Sequence, residues 1–195
     1  LNVSEHTIRR DLHELSREGY CKKVYGGAVM TLPEAGDYSA RKEKNTATKS
    51  RIAQKCAKLV KPGGCIFIDT GTTNLAMAEA LPAELALTVV TGGCVGASAV
   101  AQIQGMLFDQ GFIGGCAMAP ESGLTGFDYS DCEFKKAVIK QCSEIIVGLT
   151  SDKIPAVARF VVVESSAIDV LVVEENISRE YRDAFSEHDI RIYTV

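Results

Sequence analysis

Short apolar segments recur through the last two-thirds of the sequence, and they limit the possible fold more than any other feature. Their length and their Val, Ile, Leu and Phe content predict strands buried on both faces. They lie at residues 65–69, 86–91, 111–113, 145–149, 160–163, 170–173 and 190–193. Helical patterns lie between several of them, notably at 74–81, 132–141 and 178–186. This alternation predicts an α/β fold with a mostly parallel sheet covered on both faces.

The first thirty residues predict a separate, smaller module. Ser4 can cap a helix, and Gly19 can end it. The helix has one apolar stripe, formed at intervals of four and three residues by Ile8, Leu12 and Leu15. Residues 20–30 then predict two short strands that turn at Gly26 and Gly27.

A polar connector follows, and its first half contains Pro33, Gly36 and Asp37. From Thr48 the pattern becomes helical, and it ends at Pro62. We therefore expect three parts. Residues 1–30 form the first module, residues 31–48 the connector, and residues 49–195 the α/β domain.

Charge is distributed unevenly between these parts. Residues 1–61 carry 13 Lys and Arg against 7 Asp and Glu, whereas residues 62–195 carry 8 against 18. Because residues 1–61 are basic and residues 62–195 are acidic, the distribution suggests that only the amino-terminal part binds a polyanion. Chance clustering of solvated charges explains the asymmetry equally well when it is taken alone.

The composition, 46% hydrophobic and 24% charged, is that of a soluble globular protein. No apolar run approaches the roughly 18–20 residues of a transmembrane helix. Arg9, Arg10 and Asp11 interrupt any signal-peptide core near the start. We therefore expect a cytoplasmic protein with no membrane partner.

Seven cysteines are spread along the chain without a C-x-x-C pair, and there are three histidines. An odd number of scattered cysteines argues against a disulfide framework, and the spacing argues equally against a zinc site. We expect most of these thiols to be small buried side chains. No metal and no cofactor are predicted.

The first helix carries the side chains that a DNA-reading helix needs. Short polar groups and arginines near its amino end can reach base edges and phosphates in the major groove. On the face opposite the apolar stripe these are Ser4, His6, Thr7, Arg9 and Arg10. Lys22 and Lys23 stand where a β-wing would carry them to the DNA backbone. Spacing alone is also compatible with an ordinary amphipathic helix that has a solvated face.

The amino-acid sequence of residues 3–28 is a more specific signal than the spacing of its apolar and polar residues. The run Val-Ser-Glu-His-Thr-Ile-Arg-Arg-Asp-Leu, followed by a segment ending in Gly-Gly-Ala, resembles the DeoR-family signature. The resemblance implies a winged helix-turn-helix that binds double-stranded operator DNA, with Ser4, Thr7, Arg9 and Arg10 at the contact positions. The family's motif has a preceding helix that this sequence lacks, so we expect that a segment before Leu1 belongs to the module.

A second motif, Asp69-Thr70-Gly71-Thr72-Thr73, lies where a predicted strand passes into a helix. Backbone N–H groups and the helix dipole favour an anion there, and the threonine hydroxyls add donors. It is therefore a candidate phosphate cradle, although a Gly- and Thr-rich turn of this kind is often only a helix cap. No Walker motif is present.

Further residues occur in the same order as the motifs of the DeoR sensor domain, and the sequence resembles that domain. The DeoR sensor domain is similar in fold to ribose-5-phosphate isomerase. Asp109, Gly123 and Lys153 lie within the runs Asp-Gln-Gly-Phe-Ile-Gly, Gly-Leu-Thr and Ser-Asp-Lys, and Lys136 lies between the last two runs. The resemblance implies a phosphorylated sugar effector, with the 69–73 loop at its phosphate and Asp109 and Lys153 facing the sugar. Taken singly, Lys136 and Lys153 are equally compatible with surface lysines.

The resemblance weakens after residue 91. Thr91 runs directly into Gly92 and Gly93, whereas the family places a further helix and strand here. We therefore expect a missing segment near 91/92.

These motifs together predict a repressor of a sugar catabolism operon, acting as a dimer or tetramer because operators are two-fold symmetric. The alternative is a sugar-phosphate isomerase or deaminase, which needs an acid and a base at the substrate carbons. Asp109 could supply one of them, but Gln110 and Phe112 stand where the isomerases carry a more acidic loop. We therefore do not expect an enzyme. A purely structural interaction domain would leave both motifs unexplained.

Overall fold

A computed structural model of the protein describes residues 4–18, 20–24, 27–31, 38–93 and 95–195. The predicted helix end at Gly19, the turn residue Gly26 and the connector residues 33–37 lie outside the described residues. The predicted α/β class is confirmed.

The main sheet consists of six parallel strands. In chain order these are β3 (Cys65–Asp69), β4 (Thr88–Gly92), β5 (Gln110–Ile113), β8 (Ile145–Gly148), β11 (Val170–Val173) and β12 (Arg191–Thr194). Their spatial order is β12-β11-β8-β5-β3-β4. All six carboxyl ends therefore lie at one edge of the sheet.

Helices cover both faces of this sheet. On one face pack α3 (Thr46–Lys58) and α4 (Thr72–Glu79), and on the other α5 (Ala97–Ile103), α6 (Tyr129–Ile139) and α7 (Arg179–Ser186). Successive residues of β3 point to opposite cores, since Phe67 packs under α6 whereas Ile66 and Ile68 pack under α3 and α4. Nearly continuous apolar strands are what a doubly covered parallel sheet requires.

A second sheet is antiparallel and small. It contains β6 (Ala117–Ala119), β7 (Gly123–Gly126) and β10 (Phe160–Val163), in the order β10-β7-β6. Residues 160–163 are thus a strand, as predicted, but they do not join the parallel sheet. A parallel crossover usually needs a dozen or more residues that include an α-helix. The described chain between β8 and β10 has eleven residues, which contain one 3₁₀ turn (Ser151–Lys153) and the two-residue strand β9 (Ala156–Val157).

The amino-terminal module has the predicted helix and two strands. Ser4 caps α1 (Glu5–Arg17) by accepting a bond from the Thr7 amide. The strands β1 (Cys21–Val24) and β2 (Gly27–Thr31) pair antiparallel, and β2 also pairs in parallel with β9. No described residue of α1 is buried, and Ile8 and Leu15 of its apolar stripe are exposed.

The connector is more ordered than the composition predicts. It contains a short helix, α2 (Tyr38–Glu43), and α3 begins at Thr46, two residues earlier than expected. Within the described ranges, no helix is both long and apolar enough to cross a bilayer.

Gly123 has a steric role at the start of β7. Its φ is +65°, and a Cβ there would overlap the Val163 carbonyl oxygen. Gly63 has a similar φ of +73° but nothing within 4 Å of the Cβ position. We expect Gly123→Ala to lower the unfolding free energy by about 2–4 kcal/mol, since strain and overlap add. Gly63→Ala should cost only about 1 kcal/mol.

Urea unfolding of both variants measures the difference between these two glycines. Equal losses of stability would contradict the steric role of Gly123.

Candidate functional site

The carboxylate of Asp69 is the centre of the site. It ends β3 at the carboxyl edge of the sheet and is only 2% exposed. One oxygen, Oδ1, accepts from the Thr70 amide at 2.8 Å, and the other, Oδ2, accepts from the Gly114 amide at 2.8 Å. Asp69 therefore joins the loop after β3 to the loop after β5.

Lys135 of α6 supplies the charge that balances Asp69. Its ammonium lies 3.1 Å from Asp69 Oδ2 and 2.8 Å from Asp131 Oδ2, and the residue is 6% exposed. Burial raises the pKa of Asp69 to about 6, against the opposing effect of Lys135. The two carboxylates hold the pKa of Lys135 above its ordinary value in spite of its burial. At neutral pH the pair is therefore ionised.

Sequence reasoning chose the neighbouring lysine. Lys136 lies at the surface, where it pairs with Glu133 at 2.7 Å. Lys135 was missed because a lysine in an amphipathic helix is ordinarily solvated. The available signal was its position four residues after Asp131, on the side of α6 that carries the buried Cys132 and Val138.

The predicted cradle lies at the amino end of α4. Gly71 occupies the cap position with φ +143°, and no side chain caps the helix there in the described structure. The first bond of the helix runs from the Leu75 amide to the Gly71 carbonyl. The amides of Thr72 and Thr73 precede it, so they are available to an anion.

A cavity of about 460 Å³ opens beside this cradle. Asp69, Thr70 and Gly71 line one side, and Tyr38 of α2 lines another. The remaining lining is largely apolar and includes Ile68, Leu75, Ala78 and Val89, together with Asn74 and Thr91. A cavity of this size fits a small metabolite.

Asn74 is a second residue that the sequence did not single out. It is 4% exposed, and its side-chain amide donates to the Phe112 carbonyl at 3.1 Å. It therefore fixes the first turn of α4 against the end of β5.

A group of cations lies at the same edge of the sheet. Lys153 donates to the Gly115 carbonyl at 2.9 Å, and Lys49, 8% exposed, donates to the Arg41 carbonyl. Lys44 pairs with Asp152 at 2.8 Å. Burial lowers the pKa of Lys153, and the charge of Lys49 lowers it further. The charge of Asp152 opposes the lowering of the pKa of both Lys49 and Lys153. Their direct hydrogen-bond partners are neutral carbonyls, and this arrangement favours an added anion.

Asp109 is not brought to this site. It precedes β5 at the amino edge of the sheet, where its Oδ2 accepts from the Cys65 amide at 2.7 Å. Cys65 and Asp69 are the two ends of β3, so the strand length separates Asp109 from the cradle. Gly123 also lies elsewhere, beside Ala119 at the closed end of the β6–β7 hairpin.

The predicted DNA-binding residues lie on an exposed helix and strand. Ser4 Oγ and Thr7 Oγ1 are 2.9 Å apart, and Arg9 pairs with Glu5 at 2.5 Å. Lys22 and Lys23 are exposed on β1, and His6 and Arg10 are exposed on α1. An open depression of about 570 Å³ follows the face that contains His6, Arg9, Arg10, His13, Glu14 and Arg17.

A helix with exposed arginines beside a wing, joined to an α/β domain with a candidate anion site, is the arrangement of a ligand-responsive transcriptional regulator. Residues 1–33 match the model of the DeoR-like helix-turn-helix domain. Residues 44–94 and 91–175 match that of the DeoR C terminal sensor domain. The chain belongs to the DeoR family of transcriptional regulators. The sensor model matches in two pieces that meet at 91–94.

Several curated proteins are similar to this chain. It is 32% identical over 176 residues to "Uncharacterized HTH-type transcriptional regulator FruR" of Bacillus subtilis, covering 75% of this chain and 70% of that protein. It is 31% identical over 175 residues to "Glycerol-3-phosphate regulon repressor" of Haemophilus influenzae, covering 75% and 69%. It is 27% identical over 220 residues to "HTH-type transcriptional regulator GolR" of Listeria innocua, covering 96% and 85%.

Among solved structures, ribose 5-phosphate isomerase A of Methanocaldococcus jannaschii is 19% identical, with a TM-score of 0.42. The match covers 58% of this chain and 56% of that one. The enzyme of Neisseria gonorrhoeae is 15% identical with a TM-score of 0.43, covering 63% and 57%. These similarities are too low to support a functional argument.

Lys135 and Lys136 allow a matched test of the buried pair. Lys135→Met leaves Asp69 without its nearest cation, so we expect a loss of about 3–5 kcal/mol of unfolding free energy. Lys136→Met removes an exposed pair and should cost less than about 1 kcal/mol.

The loss of unfolding free energy in Lys135→Met should be larger at about pH 8 than at about pH 5. Because the pKa of Asp69 is raised, its carboxyl is protonated at the lower pH, and a neutral carboxyl needs no buried cation. Denaturant unfolding at both pH values measures this dependence. A loss that is the same at both would show that Asp69 carries no charge to be balanced.

Proposed function

We propose that the protein represses an operon for sugar or carbohydrate catabolism and that a phosphorylated sugar controls it. The supporting observation is the combination at one sheet edge of the α4 amino end, the buried Lys49, the half-buried Lys153 and a largely apolar cavity. The name of one relative, the glycerol-3-phosphate regulon repressor, refers to the same chemical class.

The arrangement suits a phosphate ester with a small carbon skeleton. The phosphate would accept from the Thr72 and Thr73 amides and from the ammonium groups of Lys49 and Lys153. In this structure, each of these two lysines bonds a neutral carbonyl. The cavity beside Asp69 would hold the sugar. Asp69 itself has both oxygens engaged by protein groups, so its role is to position the loops around the ligand.

The enzyme alternative has little support in this geometry. Asp109, its candidate base, lies at the opposite edge of the sheet from the cradle. The similar curated proteins named above are described as regulators. We therefore propose a sensor that binds its ligand without turning it over.

The remaining partners follow from the DNA-binding role. A two-fold operator calls for an even number of subunits, so we propose a homodimer or tetramer acting on DNA in the cytoplasm. We also propose that the intact protein has a further segment near 91/92. The alignment with the Listeria relative spans 220 positions, 25 more than the 195 residues of this chain.

The DNA assignment is tested on α1. Arg9→Ala and Arg10→Ala should each weaken binding to the operator, taken as the fragment that the wild type selects from random-sequence DNA. The expected loss is about 1–3 kcal/mol for a side chain that contacts a base. Arg179→Ala is the matched control, since Arg179 is an exposed helix residue of the sensor domain. Fluorescence anisotropy with labelled operator measures the affinities. Unchanged affinity in both variants would refute the assignment of α1 as the reading helix.

The ligand site is tested by thermal shift. A panel of phosphorylated sugars and their unphosphorylated counterparts should yield a stabiliser that acts only when phosphorylated. Thr72→Val keeps the backbone amide but removes the hydroxyl, which we expect to be a further donor to the phosphate. It should weaken binding of that compound about tenfold, because that charge-assisted bond is lost. Thr88→Val on the exposed strand β4 should bind it normally. Equal binding by both variants would place the phosphate elsewhere.

A further inference from the structure

The wing of the DNA-binding module is joined to the sensor domain through a shared sheet. Strand β2 pairs with β1 on one edge and with β9 of the sensor on the other, where Met30 and Thr31 meet Ala156 and Val157. We propose that this docked wing is the operator-binding state and that the anion site controls the docking. The proposal rests on the regulatory function proposed above.

Apolar packing reinforces the shared backbone bonds. Val29 of the wing is 6% exposed, and it packs with Val157, 2% exposed, and Ala119, fully buried. Val24 of β1 packs against the same group. The wing therefore contributes its own apolar side chains to a small core that it shares with the sensor.

The orientation of helix α1 depends on the wing. It contacts β1, and the Cys21 thiol donates to the Leu12 carbonyl across that contact at 3.7 Å. Holding β2 on the sensor therefore also holds the orientation of α1. A fixed orientation favours tight binding because fewer conformations are lost on contact with DNA.

Docking leaves the DNA-binding groups accessible. Lys22 and Lys23 lie on β1, the outer strand of the shared sheet, and both are exposed. Arg9 and Arg10 of α1 are exposed as well. The docked wing thus presents its cations outward, which is what operator binding requires.

The connection to the anion site is short. Lys153 lies three residues before β9, and its ammonium holds the Gly115 carbonyl. Lys49 holds the carbonyl of Arg41 in α2, which lies between the wing and the sensor in sequence. An anion that recruits both lysines releases both carbonyls. It thereby shifts α2 and the loop at Gly115, the two segments that connect the anion site to the wing. Coupling requires that the anion contact the docked and undocked states differently, and the two lysines provide that difference.

The test compares three serine variants of the full chain. Val29→Ser and Val157→Ser remove opposite sides of the shared core, and each should lower operator affinity about tenfold. The double variant should be no weaker than the single ones, because both act on one contact. Val161→Ser, at a 40% exposed valine of β10, should bind as the wild type does. The operator is the fragment that the wild type selects from random-sequence DNA.

Three outcomes of this binding test separate the two proposals. Wild-type affinity in Val29→Ser, which leaves the sensor sequence intact, would overturn the docking inference while the repressor function stands. Fully additive losses in the double variant would overturn it as well. A wild-type protein that selects no DNA would count against the repressor function.

Hydrogen exchange tests the docking without DNA, and its measurements on the wild type need no variant. Amides of residues 28–31 should be protected in the free wild type and should exchange at least about tenfold faster in Val157→Ser. Inorganic phosphate should accelerate their exchange relative to chloride at equal ionic strength. Unprotected wild-type amides would overturn the docking, and exchange that phosphate leaves unchanged would overturn its link to the anion site.

Discussion

The geometry of the site depends on one buried ion pair. Asp69 and Lys135 are almost completely removed from water, so neither tolerates the loss of the other. Because Asp69 also accepts bonds from the amides of Thr70 and Gly114, the pair fixes the loops after β3 and β5 relative to α6. The start of α4 and the position of Gly115 follow from it. The proposed ligand site is thus built around a charge that is balanced within the protein.

The same pair explains how a negatively charged residue can lie at the proposed anion site. Lys135 balances its charge inside the protein, so the groups proposed for the anion are backbone amides, Lys49 and Lys153. These lysines bond to the carbonyls of Arg41 in the connector helix and of Gly115 in the loop before the small sheet. In the proposed coupling, binding and transmission therefore use the same side chains.

Local sequence pattern predicted the elements well and the tertiary contacts less well. The boundaries of β3, β10 and β11 were correct because each is a short apolar run between polar turns. Lys136 was chosen instead of Lys135, and Asp109 was assigned to the site, because spacing does not reveal which face is buried or which edge a loop occupies. The strand β9 was missed, since two residues give no periodicity and its partner lies in another module.

The shared sheet also orders the events of synthesis. Met30 pairs with Ala156, 126 positions further along the chain, so the wing leaves the ribosome long before its third strand exists. Such distant pairings form late because the intervening loop must close first. The reading helix therefore reaches its final orientation only after the sensor has folded. A truncated or misfolded sensor would leave the helix without that orientation, so incomplete chains would compete poorly for the operator.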